Sequence, residues 1–246
     1  MRKFTVFILL PLLLQYKVLY SQWTSVSNGL DSYASTVLYS DNSNLYGGNY
    51  SGLFLSTSNG MKWTSTSLTN NVLAINVKGN YVFAGGNGMN VSTDYGQTFS
   101  QTISSFQSIR DIENSNGNVY AAAGFSGIYT SSNYGANWVN RQVSFRTCLN
   151  LEIKNNFLFA GCTGSLKQNN GGVLKSSDNG ITWAETPLIN LEISFLESNS
   201  EYLFAGNRDS LFRSNDNGYS WTRLVFPTNP FTIKNIFNLE ESLFVN

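Results

Sequence analysis

Histidine does not occur anywhere in this sequence of 246 residues, and charged residues, proline and cysteine are scarce. Without histidine the chain lacks the commonest metal ligand and the usual acid–base group at neutral pH. Cysteine, aspartate and glutamate form no cluster with the spacing of a metal site. The glycines lie between strands and not at the start of a helix, where a phosphate would bind. We therefore predict neither a metal site nor a cofactor.

Charge of either sign is also rare. Asp, Glu, Lys and Arg make up 12% of the residues, and the formal net charge is zero. The sequence has no basic patch of the kind that binds nucleic acid, so we exclude a nucleic-acid partner. Hydrophobic residues reach 41% and aromatic residues 14%, which is enough to build the core of one domain.

Long apolar runs are missing except at the N-terminus. Arg2 and Lys3 precede an apolar run that is too short to span a bilayer, and Ser21 is a small residue near a plausible cleavage point. This pattern predicts a signal peptide over 1–21 and a mature domain over 22–246. The protein would then be secreted, periplasmic or at the cell surface, with no transmembrane segment after leader removal. A short membrane anchor is the alternative.

The chain is organised around an eight-residue pattern that occurs five times and reads Ser-x-Asp-x-Gly-x-Thr-Trp from Ser176 to Trp183. Glycine takes positive φ at no steric cost, and the serine and aspartate oxygens bond nearby backbone N–H groups, so the octet predicts a capped turn. The acid position holds Asn133 in one copy and Ser58 in another, which suits a hydrogen-bond acceptor but neither a catalytic acid nor a metal ligand. The residues assigned to structural turns are Ser56, Gly60, Trp63, Ser92, Asp94, Gly96, Ser131, Asn133, Gly135, Trp138, Ser176, Asp178, Gly180, Trp183, Ser214, Asp216, Gly218 and Trp221.

The octets recur with a period of roughly forty residues, and a shorter apolar signature lies between them. It reads Tyr-Val-Phe-Ala-Gly at 81–85 and Phe-Leu-Phe-Ala-Gly at 157–161, each after a Gly or Asn turn. Each unit therefore contains four short antiparallel strands, as a propeller blade does. We predict an all-β fold, a β-propeller of five full blades and an incomplete sixth. The predicted blades are about 30–67, 68–102, 103–141, 142–186, 187–225 and, in part, 226–246.

The end of the last blade is unusual. Trp23 lies where the final tryptophan of an octet would lie, so the strand 22–27 is predicted to close that blade. Even with this strand the blade lacks one strand, and unpaired edges are a liability that closed rings remove. Two interpretations stay open: a piece of a larger ring, or a ring with an imperfect last blade.

The octets resemble the Asp-box, or BNR, repeats of sialidases, xyloglucan-degrading hydrolases, sortilin-type receptors and photosystem II assembly factors, all of which are β-propellers. The resemblance covers roughly residues 23 to 246 and rests on the repeats. It implies the propeller fold, but it leaves the function open because the group contains hydrolases, receptors and assembly factors. The assembly factors imply a protein partner that binds through a charged face.

Two cysteines fall on the first and second strands of the fourth predicted blade. A two-residue turn at Asn155 and Asn156 pairs residue 149 with residue 162, so Cys148 and Cys162 would lie on opposite faces of the sheet. A disulfide requires a bulge or a slip in register. Without one, the two residues are small buried apolar groups.

The predicted strand order places the octets at one end of the propeller and the longer, more varied loops at the other. We expect the ligand at the end with the longer loops, and we interpret the octets as scaffold. Arg110 aligns with Val72, Cys148 and Ile193 near the start of an inner strand, where it could instead pair with an acidic neighbour or face the channel. The phenylalanines at this end could instead pack between blades. The candidate ligand-facing residues are Tyr50, Phe106, Arg110, Phe125, Phe145, Arg146, Lys167, Arg208 and Asp209.

Catalysis has specific requirements that the sequence does not meet. A sialidase-like site needs an arginine triad and an early Arg-Ile-Pro motif, which is missing. Other glycosidases need two facing carboxylates about 5 to 10 Å apart, and Asp209, Asp31 and Glu185 form no evident pair. We therefore assign no catalytic residue and predict a non-enzymatic binding or assembly module for a protein or glycan. The alternatives are a degenerate or fragmentary glycoside hydrolase of sialidase-like type and a segment of a larger surface adhesin.

Overall fold

The computed structural model describes residues 28–30, 37–41, 44–143, 146–164, 170–226, 233, 236–239 and 242–245. The predicted leader and closing strand, Phe145 and Lys167 lie outside these residues. Within the described ranges the fold is all-β, and no helix has the length and apolarity needed to cross a membrane.

The described residues form six antiparallel sheets, numbered blades 1 to 6 in chain order. Blade 1 contains β1 (Val37–Ser40), β2 (Leu45–Asn49), β3 (Gly52–Ser56) and β4 (Thr64–Ser65), and blade 2 contains β5 (Val72–Lys78), β6 (Tyr81–Ser92) and β7 (Ser100–Ser108). Blade 3 contains β8 (Asp111–Ser115), β9 (Asn118–Ala122), β10 (Ile128–Ser131) and β11 (Val139–Arg141), and blade 4 contains β12 (Thr147–Lys154), β13 (Phe157–Thr163), β14 (Gly172–Ser176) and β15 (Ala184–Ile189). Blade 5 contains β16 (Phe195–Ser198), β17 (Leu203–Asn207), β18 (Ser210–Ser214) and β19 (Thr222–Leu224), and blade 6 contains β20 (Ile236–Leu239) and β21 (Ser242–Val245).

The first strand of each blade contacts the first strand of the next blade. β1, β5, β8, β12, β16 and β20 therefore follow one another around a common centre, and the later strands of each blade lie progressively further out. This arrangement is that of a β-propeller. It confirms the predicted fold class of five blades followed by a partial sixth.

Blade 2 has three strands where the sequence predicts four. β6 takes the place of the second and third strands, because its first half pairs with β5 and its second half pairs with β7. Two register shifts in the second pairing accompany Gly88, which has a φ of +81°. β7 then runs on to Ser108, further than the predicted end of this blade.

The hydrophobic core lies in the seams between blades. Phe83 of blade 2 is fully buried in one cluster with Ile112 and Val119 of blade 3. Phe159 of blade 4 is fully buried in another cluster with Ile193 and Leu203 of blade 5. Because both aromatic residues belong to the apolar signature that precedes each octet, the repeat in the sequence is a repeat of core packing.

All five octets form the same turn. In each copy the serine Oγ accepts a hydrogen bond from the N–H of the glycine, at 2.8–3.0 Å. Asp178 also accepts hydrogen bonds from the hydroxyl and the backbone N–H of Thr182. Side-chain hydrogen bonds are the main reason that the pKa values of Asp94, Asp178 and Asp216 fall to about 2. These carboxylates are fixed acceptors within the turns.

The octet turn contains a second residue with positive φ, which the sequence analysis did not anticipate. The residue before each glycine has a φ of +51° to +62°. Asparagine holds this position in three octets, whereas Tyr95 and Tyr134 hold it in the other two. Asparagine tolerates this conformation better than most residues, so the pair Asn-Gly is the preferred centre of the turn.

Cys148 and Cys162 form a disulfide. Residues 154 and 157 pair as the sequence predicts, but a bulge between Cys148 and Asn150 shifts the register and places the two cysteines directly opposite each other. The prediction that Cys148 and Cys162 lie on opposite faces of the sheet, which assumed a regular register, is therefore wrong. The extra residue, Leu149, is the bulge that a disulfide requires.

Candidate functional site

Two kinds of loop meet at one end of the propeller, opposite the octets. They are the loops between the second and third strands of a blade and the connections from one blade to the next. Gly124 N donates to Cys148 O at 3.1 Å, Ile193 N to Cys162 O at 3.3 Å, and Ile233 N to Arg208 O at 2.8 Å. Each bond joins a loop or connection at this end of the molecule to the neighbouring blade. We call this end of the molecule the loop face.

Three aromatic side chains of the loop face are largely exposed. Tyr50 of blade 1 is 66% exposed, Phe106 at the exit of blade 2 is 93% exposed and Phe125 of blade 3 is 72% exposed. The structure thus places these three predicted residues in solvent, on consecutive blades, and not in the packing between blades. Exposed aromatic groups on the same end of consecutive blades can contribute to a surface that binds a partner.

The loops that carry the charged candidates are held in fixed turns. Asn207 Oδ1 accepts hydrogen bonds from Asp209 N and Ser210 N, both at 3.0 Å. In blade 1, Asn49 Oδ1 likewise accepts two backbone hydrogen bonds, which close the turn that contains Tyr50. Arg208, Asp209 and Tyr50 are therefore exposed on pre-formed turns, which lowers the entropy that binding would cost.

The alignment of Arg110 with Val72, Cys148 and Ile193 is wrong by one residue. Ile109 is fully buried at that position, where its side chain meets Gly85 of the preceding blade as Val72 meets Gly48. Arg110 N donates to Ala122 O, with which Asp111 also pairs, so Arg110 takes the place of the extra residue that follows Val72 in blade 2 and Cys148 in blade 4. Arg110 is exposed as a result and makes no ion pair with any described residue.

Arg146 does not face a ligand, in contrast with its prediction. Only 9% of this residue is exposed. Its Nε donates to Asn170 O at 2.5 Å, and its guanidinium forms an ion pair with Glu185 of the outermost strand of blade 4. These two interactions stabilise this part of the loop face.

The structure also brings together four carboxylates that sequence reasoning missed. Glu113, Glu152 and Glu197 occupy the same register on the innermost strands of blades 3, 4 and 5, each opposite an aromatic residue of the second strand. Asp111 lies two residues before Glu113. The three glutamates recur with the spacing of the octets, so the pattern was visible in the sequence.

Hydrogen bonds tie these carboxylates to the neighbouring blades. Asp111 Oδ2 accepts from Leu151 N of blade 4 at 2.7 Å, and Glu152 Oε1 accepts from Ser198 Oγ of blade 5 at 2.6 Å. Within the described residues, no group of three or more acidic or cysteine side chains is placed to hold a metal ion. The carboxylates thus link the innermost strands to each other.

Burial raises the pKa values of Glu113, Glu152 and Asp111. It is the main cause for Glu113, whose pKa rises to about 9 with further contributions from Asp111, Glu152 and Glu197. Burial likewise raises the pKa of Glu152 to about 8. For Asp111 burial outweighs two backbone hydrogen bonds, and its pKa is about 6. Glu113 and Glu152 are therefore protonated at neutral pH.

These pKa values predict a protein that becomes less stable as the pH rises from 5 to 9. Over this range folded Glu113 keeps a proton that the unfolded chain has lost, so each increase in pH favours the unfolded state. Tyr39, Asp111, Glu152 and Glu197 are the titratable groups that interact with Glu113. We expect Glu113→Gln to raise the melting temperature at pH 8 by about 2–4 °C, which corresponds to about 1 kcal/mol, and to change it little at pH 5.

Melting curves at pH 5, 7 and 8 measure this effect. The exposed Glu192 provides the matched control, since Glu192→Gln should leave the pH dependence unchanged. A wild-type melting temperature that rises between pH 5 and pH 8 would show that the glutamates of the innermost strands do not dominate the pH dependence.

Comparison with known proteins supports the fold alone. No protein-family model matches the sequence, and no curated protein matches it. Among solved structures, a family 74 xyloglucanase from Xanthomonas campestris is 16% identical with a TM-score of 0.65 over 83% of this chain and 41% of its own. The extracellular domain of the putative one-component system BT4673 from B. thetaiotaomicron is 14% identical with a TM-score of 0.67, over 84% of this chain and 30% of its own.

A third similar structure is the computationally designed protein Ika8. It is 13% identical with a TM-score of 0.63, over 88% of this chain and 70% of its own. The chain thus spans less than half the length of the xyloglucanase and about a third of the length of the BT4673 domain. At these identities the likeness concerns architecture only, and it is to β-propellers.

Proposed function

We propose that this protein is an exported β-propeller that binds a protein or glycan through its loop face without chemically changing it. The observation that carries the proposal is the exposure of Tyr50, Phe106 and Phe125 on three consecutive blades. Exposed aromatic groups gathered at one end of a protein can form a binding surface, and they stack well on sugar rings or on apolar side chains. Arg110, Arg208 and Asp209 add charge of both signs around them.

Export is supported by two features of the chain. Disulfides such as Cys148–Cys162 persist in oxidising compartments outside the cytoplasm. The N-terminal apolar run after two basic residues is typical of a signal peptide. Solved structures with this fold include an extracellular domain and a xyloglucanase. The fold is therefore compatible with a location outside the cell and with a glycan ligand.

The experiment is a binding survey followed by a comparison of variants. The mature protein is applied to arrays of glycans and of surface-protein peptides, and the strongest ligand is titrated. We expect Tyr50→Ala/Phe106→Ala/Phe125→Ala to weaken its binding by at least about tenfold, since each aromatic anchor contributes on the order of 1–2 kcal/mol. The control is Tyr95→Asn, which removes an exposed aromatic residue from an octet and inserts the residue found in three other octets.

Equal affinity of the triple variant and the wild type would refute binding through the loop face. A wild-type protein that binds nothing on either array would refute the binding function itself.

A glycoside hydrolase is the second candidate function, and the inner carboxylates favour it. A glycosidase needs one protonated acid and one ionised carboxylate. The pKa of Glu113 is about 9 and that of Asp111 is about 6, so at neutral pH Glu113 matches the protonated acid and Asp111 the ionised carboxylate. Both oxygens of Asp111 accept backbone hydrogen bonds, however, which restrains it as a nucleophile. Turnover of fluorogenic glycosides that is lost in Glu113→Gln would establish the hydrolase and overturn the non-enzymatic proposal.

A further inference from the structure

A groove opens on the octet end of the propeller, between blades 3 and 4. Its outer chamber has a volume of about 310 Å³ and its inner chamber about 270 Å³. Tyr120 and Asn179 contribute to both chambers, so the two join along the seam. The outer chamber alone reaches the lower end of the range of small-molecule sites.

Large side chains fill the corresponding seams on either side. Between blades 2 and 3, Tyr81 stacks on Tyr134 with ring centroids 4.7 Å apart. Between blades 4 and 5, the ammonium group of Lys175 lies 3.7 Å from the ring centroid of Phe157 and 3.8 Å from that of Tyr219. Neither seam therefore leaves the space that the groove between blades 3 and 4 has.

Short polar residues at the equivalent positions create the groove. Asn118 begins the second strand of blade 3, where blade 2 has Tyr81 and blade 4 has Phe157. Thr130 precedes the octet serine of blade 3, where blade 4 has Lys175. Asn179 occupies the octet position of Tyr134. The opening is thus a local departure from the repeat.

The electrostatics of the groove favour an anion. Arg141 lines the outer chamber and is half-buried, and its Nε makes one long hydrogen bond of 3.4 Å to Thr130 Oγ1. It has no carboxylate partner among the described residues, and neither chamber is lined by an Asp or Glu. The two terminal nitrogens of its guanidinium can therefore bind a carboxylate in a bidentate manner.

The remaining lining suits a ligand rich in hydroxyl groups. Asn118, Asn137 and Asn179 offer amide donors and acceptors, while the exposed side chains of Val139 and Ile181 offer apolar surface at the rim. Amides beside one cation and small apolar faces are the groups that hold a sugar ring with an acidic substituent.

We propose that this groove binds a short acidic saccharide, with a hexuronate carboxylate on Arg141 and sugar hydroxyls on the asparagine amides. The site opens on the octet end, and Arg141 reaches it from the other end of its strand, where it pairs with Ile128 beside Gly127. The site is independent of the proposed function, because Tyr50, Phe106 and Phe125 do not line it.

Calorimetric titration of the mature protein with trigalacturonate at low ionic strength tests the proposal. We expect trigalacturonate to bind, and to bind at least about tenfold more tightly than neutral galactotriose, because a charge-assisted bidentate bond is absent from the neutral sugar. Arg141→Gln should remove this preference. The control is Arg223→Gln, since Arg223 also lies on the outermost strand of its blade but is exposed and outside the groove.

A second variant fills the groove without altering its charge. Asn118→Tyr/Asn179→Tyr copies the stacked pair of the seam between blades 2 and 3, so we expect a normal melting temperature and no binding of trigalacturonate. The Tyr50/Phe106/Phe125 alanine variant should bind trigalacturonate like the wild type, which separates this site from the loop face.

Four results would overturn the proposal: no binding by the wild type, equal affinity for galactotriose, binding that survives in the filled variant, or binding of hexaglutamate without trigalacturonate.

Discussion

Gly180→Val is expected to lower the free energy of unfolding by about 2–5 kcal/mol, through two separate effects. Gly180 has a φ of +77°, which a β-branched residue adopts only with strain. A Cβ at this position would also lie 3.0 Å from Thr130 Cγ2 and 3.3 Å from Leu158 Cδ2. Thr130 belongs to the preceding blade, so the variant should loosen the seam between blades 3 and 4 as well as the turn.

Gly79 provides a control that separates these two effects. Its φ is +61°, and a Cβ there would meet no atom within 4 Å. Gly79→Val should therefore lower the free energy of unfolding only by the strain of a valine at positive φ, about 1–2 kcal/mol. Urea denaturation of both variants measures the difference. Equal losses in the two variants would show that the octet glycine makes no contribution through packing on the neighbouring blade.

Cys148→Ala/Cys162→Ala is expected to lower the free energy of unfolding by about 3 kcal/mol, because the disulfide closes a short loop in the unfolded chain. The cysteines are separated by 14 positions in the sequence. Both are fully buried in the core shared by blades 3 and 4, so alanine replaces them without exposing a polar group. The corresponding fall in melting temperature is about 6–12 °C.

Thermal melting with and without dithiothreitol measures the contribution of the disulfide. The wild type should lose stability when reduced, and the double variant should not respond to the reductant. A wild-type melting temperature that is the same in both conditions would contradict a disulfide that stabilises blade 4.

The fold was predictable because its signals are local and repeated. Each octet contains its own glycine, its own serine acceptor and an aromatic residue within eight positions, so a single copy already specifies a turn. Five copies at nearly equal spacing then specify a propeller, since only an array of similar units repeats in this way. The same strand order assigns Tyr50, Phe106 and Phe125 to the end opposite the octets, but it left open whether the phenylalanines pack between blades, and the structure shows that they are exposed.

Features that depend on one extra residue were not predictable. The bulge at Leu149 changes which side chains face each other in the first two strands of blade 4, and nothing in the local sequence distinguishes a bulged strand from a regular one. For this reason the regular register kept Cys148 and Cys162 apart, whereas the structure joins them.

Features that depend on two blades were also hidden. The groove requires Asn118 of blade 3 and Asn179 of blade 4 to line the same chamber, and this arrangement is visible only when the blades are placed side by side. The glutamates at 113, 152 and 197 were spaced like the octets, yet the raised pKa values of Glu113 and Glu152 arise from burial between neighbouring innermost strands.

Residue-resolved hydrogen exchange of the octet glycines tests most directly whether the five octets are equivalent structural corners of one propeller. The amide N–H of each glycine donates to a serine Oγ in a buried position. We expect the amides of Gly60, Gly96, Gly135, Gly180 and Gly218 to exchange as slowly as the amides of the adjoining strands. Rapid exchange at these amides, with protection confined to the strands, would contradict the octet as the corner that fixes each blade.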